Sequence, residues 1–277
     1  MVAGTKTKIP FLTIETKDPH IIIRTEDLEI GYRKKQHETL IASGINIEVK
    51  EGELLAVIGV NGVGKSTFLR TLSGVQPQLS GKIFINSIDR NNIPSEKLAE
   101  LISLVLTEQP LSKNLSVAEL VALGRQPYTN WIGTLTPEDR KKVKQALELV
   151  NIQELQHKKC YELSDGQLQK TLIARALAQD TPIMILDEPT SHLDMYHKAQ
   201  VLKLLKQLSQ QTKKAIVFAT HEINLALQLC DKLVLMKKGQ LVQGSPQELI
   251  QKGAFDDIFP SDLIVFDSAT QSFRIKS

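Results

Sequence analysis

A glycine-rich loop with a single lysine is the feature of the sequence best suited to chemistry. Residues 59–67 read GVNGVGKST and fit the pattern G-x-x-x-x-G-K-[ST]. Glycines allow a tight turn whose N–H groups point at an anion, and the N-terminus of a following helix adds positive potential. Lys65 would reach the β- and γ-phosphates of a nucleotide, and the Ser66 hydroxyl would ligate a bridging Mg²⁺ ion. The alternative is a glycine-rich turn with a surface lysine.

A second candidate is an apolar strand that ends in two adjacent carboxylates. Residues 183–186 (IMIL) are followed directly by Asp187 and Glu188. Adjacent strand residues point to opposite faces. If this strand lies beside the one that feeds the glycine loop, Asp187 can bind the magnesium ion. Glu188, just past the strand, can then orient a water for in-line attack. The alternative is a solvated acidic turn stopped by Pro189.

A third candidate is the stretch LSDGQ at residues 163–167, which opens a helix predicted for 167–179. Ser164 and Gly166 could present backbone N–H groups at the positive helix end, which predicts a second anion site. An ordinary capped helix start, with Ser164 as N-cap and Gln167 at the third helical position, explains the same residues.

The elements that must position these residues follow from hydrophobic patterns. Runs rich in β-branched residues predict strands at 21–30, 45–49, 54–59 and 82–85. Continuous apolar runs at 183–186 and 215–220 predict parallel strands that are buried on both faces. Residues 116–178 read as helices without a strand and predict an all-helical insert. Further helices are predicted for 195–211 and 222–229, and a pair of short strands for 232–244.

Composition excludes several classes of protein. The 277 residues carry a formal net charge of +3, which lacks the basic bias of a dedicated nucleic-acid binder. Cys160 and Cys230 have no metal-ligand spacing and predict neither a disulfide framework nor a zinc site. No apolar run approaches the roughly 18 residues of a spanning helix, and the N-terminus lacks the apolar segment of a signal peptide. We therefore expect a soluble chain in a reducing compartment.

The order of the motifs resembles that of an ABC-type ATPase. In addition to the three motifs, Gln109 precedes the helical region, residues 191–194 (SHLD) follow the acidic strand and His221 ends the next strand. The resemblance covers about Ile21 to Gly244. It implies an α/β fold with a P-loop (RecA-like) core, a mostly parallel sheet, an N-terminal antiparallel β subdomain and an all-helical insert.

The resemblance also implies domain boundaries. We expect an N-terminal extension at 1–20 and an ABC ATPase domain at 21–255. The helical subdomain would occupy about 110–178 within the catalytic core. The C-terminal tail at 256–277 is too short to form a domain, so we expect it to pack on the core.

Site roles follow from the same resemblance. It implies catalytic roles for Lys65, Gln109, Glu188 and His221, and metal binding by Ser66, Gln109 and Asp187. The residues implied to bind ATP are Tyr32, Gly59, Asn61, Gly62, Val63, Gly64, Lys65, Ser66 and Thr67. The signature residues implied to close over the nucleotide of a second copy are Leu163, Ser164, Asp165, Gly166 and Gln167.

Two of these assignments have simple alternatives. Tyr32, placed just after the first strand, would stack on adenine, and such stacking contributes roughly 1–3 kcal/mol with little dependence on the base. Otherwise Tyr32 packs on a strand edge, and His221 caps a strand-to-helix junction. The remaining histidines show no ligand spacing and are interpreted as surface residues: His20, His37, His157, His192 and His197.

The signature departs from the family pattern at Asp165, where the family usually has glycine and some members have aspartate. A carboxylate there would stand close to a phosphate-binding helix start. We expect the Asp165 side chain to point away and cap the helix, while Ser164 and Gly166 keep the contact.

The resemblance implies the partners as well. We expect a homodimer that sandwiches two ATP molecules, transmembrane permease subunits, indirectly a substrate-binding protein, and no nucleic acid. The chain would then lie on the cytoplasmic side of the inner (plasma) membrane. Residues 115–128 are similar to the corresponding segment in the ATP-binding cassettes of bacterial importers of iron-siderophore, haem or cobalamin. The alternatives are an ATPase of a manganese or zinc importer, an exporter, or a soluble ABC ATPase without a transport role.

Overall fold

The computed structural model describes residues 21–34, 37–106, 113–237, 239–256, 258–259 and 263–276. Its strands are β1 (Ile21–Lys34), β2 (His37–Ile45), β3 (Glu48–Lys50), β4 (Leu54–Ile58), β5 (Ser80–Ile85), β6 (Ile88–Asp89), β7 (Ile102–Val105), β8 (Ile183–Asp187), β9 (Ala215–Thr220), β10 (Lys232–Lys237), β11 (Gln240–Gly244), β12 (Ile264–Asp267) and β13 (Ser272–Ile275). Its α-helices are α1 (Lys65–Leu72), α2 (Ser95–Leu101), α3 (Val117–Ala122), α4 (Pro137–Leu149), α5 (Asp165–Ala178), α6 (Met195–Thr212), α7 (Ile223–Leu229) and α8 (Pro246–Gln251).

The central sheet has the strand order β11-β10-β4-β9-β8-β7. Strands β10, β4, β9, β8 and β7 are parallel, and β11 is antiparallel to β10. Every residue of β4, β8 and β9 is buried, as expected for parallel strands covered on both faces. The carboxyl ends of these strands therefore meet at one edge of the sheet.

An antiparallel sheet covers one face of the central sheet. Its order is β2-β1-β5-β6, and β3 also pairs with β1. Leu55 and Val57 of β4 share a hydrophobic cluster with this sheet and with Phe68 of α1. Leu54 and Ile58 point to the other face, into a cluster shared with α3, α4, α5 and α6.

The structure confirms the predicted fold class. It combines a mostly parallel sheet, an antiparallel N-terminal sheet and the helices α3, α4 and α5 between β7 and β8. The predicted domain boundaries remain predictions. At the C-terminal end, β12 and β13 form an antiparallel hairpin, and Phe266 stacks on Phe255 with ring centroids 4.9 Å apart.

Several predicted elements differ from the structure. The strand predicted at 45–49 is divided, because β2 pairs with the second half of β1 and β3 pairs with the first half. Strand β7 and helix α2 were not predicted. The four residues of β7 follow α2 without an intervening turn, so the sequence there lacks the glycine or proline that would indicate a boundary.

Candidate functional site

The glycine-rich loop connects β4 to α1 at the carboxyl edge of the central sheet. Gly64 is the N-cap of α1 and has a φ of 110°, a value that side chains other than glycine rarely adopt. A Cβ atom on Gly64 would lie 2.3 Å from Cγ2 of Ile41. Glycine is therefore required here by backbone conformation and by the approach of β2.

Lys65 lies folded over the loop, with only 5% of its surface exposed. Its Nζ donates hydrogen bonds to the carbonyl oxygens of Gly59 at 2.9 Å and Val60 at 3.3 Å. Burial lowers the pKa of Lys65, and the charges of Glu188 and Asp187 oppose that shift. The ammonium group is thus held by groups that a phosphate could replace with a stronger, charge-assisted interaction.

Ser66 and Asp187 form the contact between the loop and the acidic strand. The Ser66 hydroxyl donates to Oδ1 of Asp187 at 2.9 Å. Burial raises the pKa of Asp187, and the hydrogen bond from Ser66 opposes the shift. Hydroxyl and carboxylate oxygens are the ligands that Mg²⁺ prefers, usually together with waters and substrate phosphates. These two side chains therefore fit a magnesium ion.

The route to this contact differs from the one expected. Strand β8, which carries Asp187, does not lie beside β4, because β9 is inserted between them. The contact forms because the parallel strands end at the same edge and α1 begins directly above it. The condition that the two strands be neighbours was wrong, although Asp187 does reach Ser66.

Glu188 is held in an unusual backbone conformation just past β8. Its φ is 47°, in the left-handed region, and such residues cost of order 1–3 kcal/mol and cluster at functional sites. The Ser191 hydroxyl donates to Oε2 of Glu188 at 3.1 Å. Nδ1 of His221 lies 3.8 Å from the same oxygen. The structure thus brings together Glu188 and His221, which were predicted separately.

Sequence reasoning did not assign roles to two neighbours of this pair. These neighbours are Ser191, which the sequence places only within the SHLD segment, and Glu222. Oε1 of Glu222 lies 3.1 Å from Nε2 of His221. Lys198 of α6 forms an ion pair with Glu222. Ser191 follows Glu188 by three residues, a spacing at which a turn brings side chains together, and this signal could have identified it.

Tyr32 lies within β1 rather than after it, because β1 continues to Lys34. Its hydroxyl group and Oγ1 of Thr67 are 2.8 Å apart. The Tyr32 residue is 46% exposed, so its side chain is anchored by its hydroxyl group at the start of α1 while part of its surface is open to solvent. The interpretation as a residue packed on a strand edge is therefore incomplete.

The signature residues form the start of α5. The Ser164 hydroxyl accepts a hydrogen bond from the Gln167 amide, and the Gln167 side chain accepts one from the Ser164 amide. The expected cap by Asp165 was wrong, since Ser164 occupies the capping position. Asp165 instead lines a small cleft of about 50 Å³ that is also lined by Asp187, Glu188, Ser191 and His192.

Gln109 lies outside the described residues. His197, interpreted from sequence as a surface residue, is half-buried and packs against Gly166. Within the described ranges, no group of three or more His, Cys, Asp and Glu side chains could hold a metal ion. No helix in those ranges has the length and apolar character needed to cross a membrane.

This fold and site define a P-loop nucleotide-binding protein. A family model described as ABC transporter matches residues 42–191, and the chain belongs to that family. The petrobactin import ATP-binding protein FpuD of Bacillus anthracis is 34% identical over 238 residues, 86% of each chain. The iron(3+)-hydroxamate import ATP-binding protein FhuC of Bacillus subtilis is 32% identical over 250 residues, 90% of this chain and 91% of FhuC.

The solved structures agree with this assignment. The ATP-binding cassette MJ0796, in a dimeric post-hydrolysis state bound to ADP and Pi, superimposes with a TM-score of 0.69. It is 27% identical, and the alignment covers 81% of this chain and 99% of MJ0796. The chain is accordingly an ATPase. It binds ATP, and its hydrolysis of ATP is coupled to transport.

Proposed function

We propose that this chain is the ATP-hydrolysing subunit of an importer for ferric siderophores. The observation that carries the proposal is the similarity along nearly the whole chain to FpuD and FhuC, whose names specify petrobactin import and iron(3+)-hydroxamate import. Two copies would act with transmembrane permease subunits at the cytoplasmic side of the inner membrane. A substrate-binding protein would deliver the siderophore.

The glycine loop would hold the triphosphate of ATP. The backbone N–H groups of residues 59–64 and the N-terminus of α1 supply positive potential. Lys65, now bonded to two loop carbonyls, would transfer its N–H donors to the β- and γ-phosphates. Ser66 and Asp187 would hold Mg²⁺, which when bound neutralises charge on the phosphate oxygens.

Glu188 would act as the general base toward the attacking water. The hydrogen bond from Ser191 and the left-handed backbone fix its carboxylate at the end of β8. His221, 3.8 Å from that carboxylate, would contact the γ-phosphate from the end of the neighbouring strand. Gln109 completes the proposed set.

The second anion site would serve another copy of the chain. In this arrangement the Ser164 and Gly166 end of α5 closes over the ATP held by the glycine loop of the partner. The dimeric MJ0796 cassette with ADP and Pi supports such an assembly. The Gln167 amide is bonded to the Ser164 hydroxyl, and the preceding amides of Asp165 and Gly166 at this helix start suit a phosphate supplied by a partner.

Tyr32 provides a direct test of the nucleotide pocket. Replacement by alanine is expected to weaken ATP binding by about 5- to 150-fold, because base stacking contributes roughly 1–3 kcal/mol. GTP binding should fall by a similar factor, since every base has a π-face. Calorimetric titration of the isolated chain measures both.

Tyr32→Phe is the matched control. It keeps the ring and removes only the hydrogen bond to Thr67, whose net contribution is about 0.5–1.5 kcal/mol. Alanine and wild-type chains with equal affinities for ATP would show that the ring does not contact the base.

Permease docking is proposed for the segment around α3 and the turn that follows it. Leu123 is 50% exposed and Trp131 is 95% exposed, and exposed aliphatic and aromatic groups are typical of interaction surfaces. Trp131 is the only tryptophan in the chain. Its fluorescence therefore reports on this segment alone when the other subunits lack tryptophan.

Reconstitution tests the transport role. The chain should copurify with its permease subunits, and Trp131 emission should shift to shorter wavelength in the complex. In lipid vesicles with the substrate-binding protein, ferric petrobactin or a ferric hydroxamate should stimulate ATP hydrolysis, whereas haem, cobalamin and Mn²⁺ should not. Stimulation by one of these three controls alone would overturn the siderophore assignment.

A further inference from the structure

The second residue of α5 has a neighbour that explains why it is glycine. Gly166 is buried, and its φ lies outside the left-handed region, so backbone conformation does not require glycine here. A Cβ atom on Gly166 would lie 3.0 Å from Cδ2 and 3.5 Å from Cγ of His197. The imidazole ring of His197 therefore occupies the space that a side chain at position 166 would need.

The ring of His197 is itself fixed from other sides. Its Nδ1 lies 2.9 Å from both carboxylate oxygens of Asp194. Asp194 is the N-cap of α6 and accepts a hydrogen bond from the His197 amide at 2.9 Å. The ring of Tyr196 lies edge-on, with centroids 5.6 Å apart. These contacts hold the His197 ring against Gly166, so the ring acts as a stop for the start of α5.

The stop connects the two parts of the site. Asp194 closes the loop that begins at Glu188, and Gly166 belongs to the helix start that carries Ser164. Through His197, the first turn of α6 sets how closely α5 approaches this loop. A Cβ atom at position 166 would lie closer to the ring than ordinary van der Waals contact allows, so an alanine there must displace either the ring or the start of α5 by a few tenths of an ångström.

We propose that His197 is a positioning residue that places the N-terminus of α5 for contact with the ATP of a second copy. The proposal rests on the proposed function, in which α5 serves the partner's nucleotide. His197 itself touches neither the nucleotide nor the reacting atoms. It acts through Gly166, and Asp194 acts through it.

A double-mutant cycle tests the proposal in the complete permease complex. Gly166→Ala should lower kcat by up to about tenfold, because the required shift is a few tenths of an ångström and misplacement by about 1 Å can cost about 10²-fold. The isolated chain should bind ATP with unchanged affinity, because its own glycine loop is intact. His197→Ala should lower kcat by a smaller factor through loss of the stop.

The combination of both substitutions gives the decisive result. His197→Ala removes the ring that an alanine at 166 would meet, so the double variant should recover kcat relative to Gly166→Ala alone. Such non-additivity is expected for residues that are in contact or coupled through a shared backbone shift, and not for distant, independent residues. Thermal melting of each variant separates misplacement from unfolding, and His157→Ala, at an exposed histidine, should leave kcat unchanged.

The experiment distinguishes failure of the positioning role of His197 from failure of the proposed function. A double variant whose loss equals the product of the two single losses overturns the positioning role, as does a His197→Ala enzyme with wild-type kcat. If the wild-type complex itself fails to hydrolyse ATP, the proposed function fails first. Recovery in the double variant, with ATP affinity constant throughout, supports both.

Discussion

Glu188→Gln is expected to lower the rate of ATP hydrolysis by about 10²- to 10⁴-fold, the usual contribution of a general base. The amide has the same shape as the carboxylate but cannot accept the proton of the attacking water. The Ser191 hydroxyl can still donate to its oxygen, so the left-handed turn and the neighbouring Asp187 should keep their positions. Affinity for ATP should therefore remain within a few-fold of the wild-type value.

Two measurements check this prediction together. Phosphate release measures hydrolysis, and light scattering with ATP measures assembly, because a chain that binds ATP without hydrolysing it should accumulate as the dimer. Glu51→Gln, at an exposed glutamate, is the matched control and should behave as wild type. A Glu188→Gln chain that is folded but stays monomeric with ATP contradicts the proposed assembly, and one that hydrolyses ATP normally contradicts the proposed base.

Much of the fold and the local chemistry could be predicted because both are encoded in short stretches. The glycine loop can be predicted from the spacing of its own residues and from the strand and helix next to it. The position of Lys65 follows directly from that spacing. The continuous apolar runs of β8 and β9 indicate burial on both faces. These signals depend on residues close in sequence.

The parts that sequence reasoning missed depend on residues far apart in the chain. The insertion of β9 between β4 and β8 is a property of strand order, which periodicity does not specify. The packing of His197 on Gly166 joins two helices separated by the whole of β8. Asp165 lines the cleft because α5 begins beside the residues that follow β8. No pattern near residue 165 indicates that these two segments are neighbours.

The helices between β7 and β8 are joined by an ion pair that the sequence did not reveal. Nε of Arg125 donates to Oδ1 of Asp139 at 2.9 Å, and both side chains are almost fully buried. Nη1 of Arg125 donates to the Ala178 carbonyl oxygen at the end of α5, at 2.7 Å. Arg125 therefore connects the start of α4 to the helix whose other end is Ser164 and Gly166.

Asp139→Asn is expected to lower the free energy of unfolding by about 3–5 kcal/mol, because it leaves Arg125 buried without its charge partner. For a domain of this size the melting temperature should fall by roughly 10 °C. Calorimetry measures the loss. Glu148→Gln, in the same helix, is the matched control, because its ion pair with Lys144 is exposed and long at 3.9 Å and should contribute below about 1 kcal/mol.

The pH dependence of the melting temperature tests whether the Asp139 carboxylate causes the loss of stability. The Thr136 hydroxyl, with Arg125 adding to it, holds the pKa of Asp139 below its usual value. A carboxylate whose pKa is lower in the folded state contributes its full stabilisation of the fold above its pKa in the unfolded state, about 3.9. That contribution declines as the pH falls through its pKa in the folded state. The difference in melting temperature between wild type and Asp139→Asn should thus be constant from pH 8 to about pH 5 and narrow in more acidic solution. A difference that already narrows near neutral pH would assign the loss to some other group, and no difference at all would mean that Arg125 is satisfied without Asp139.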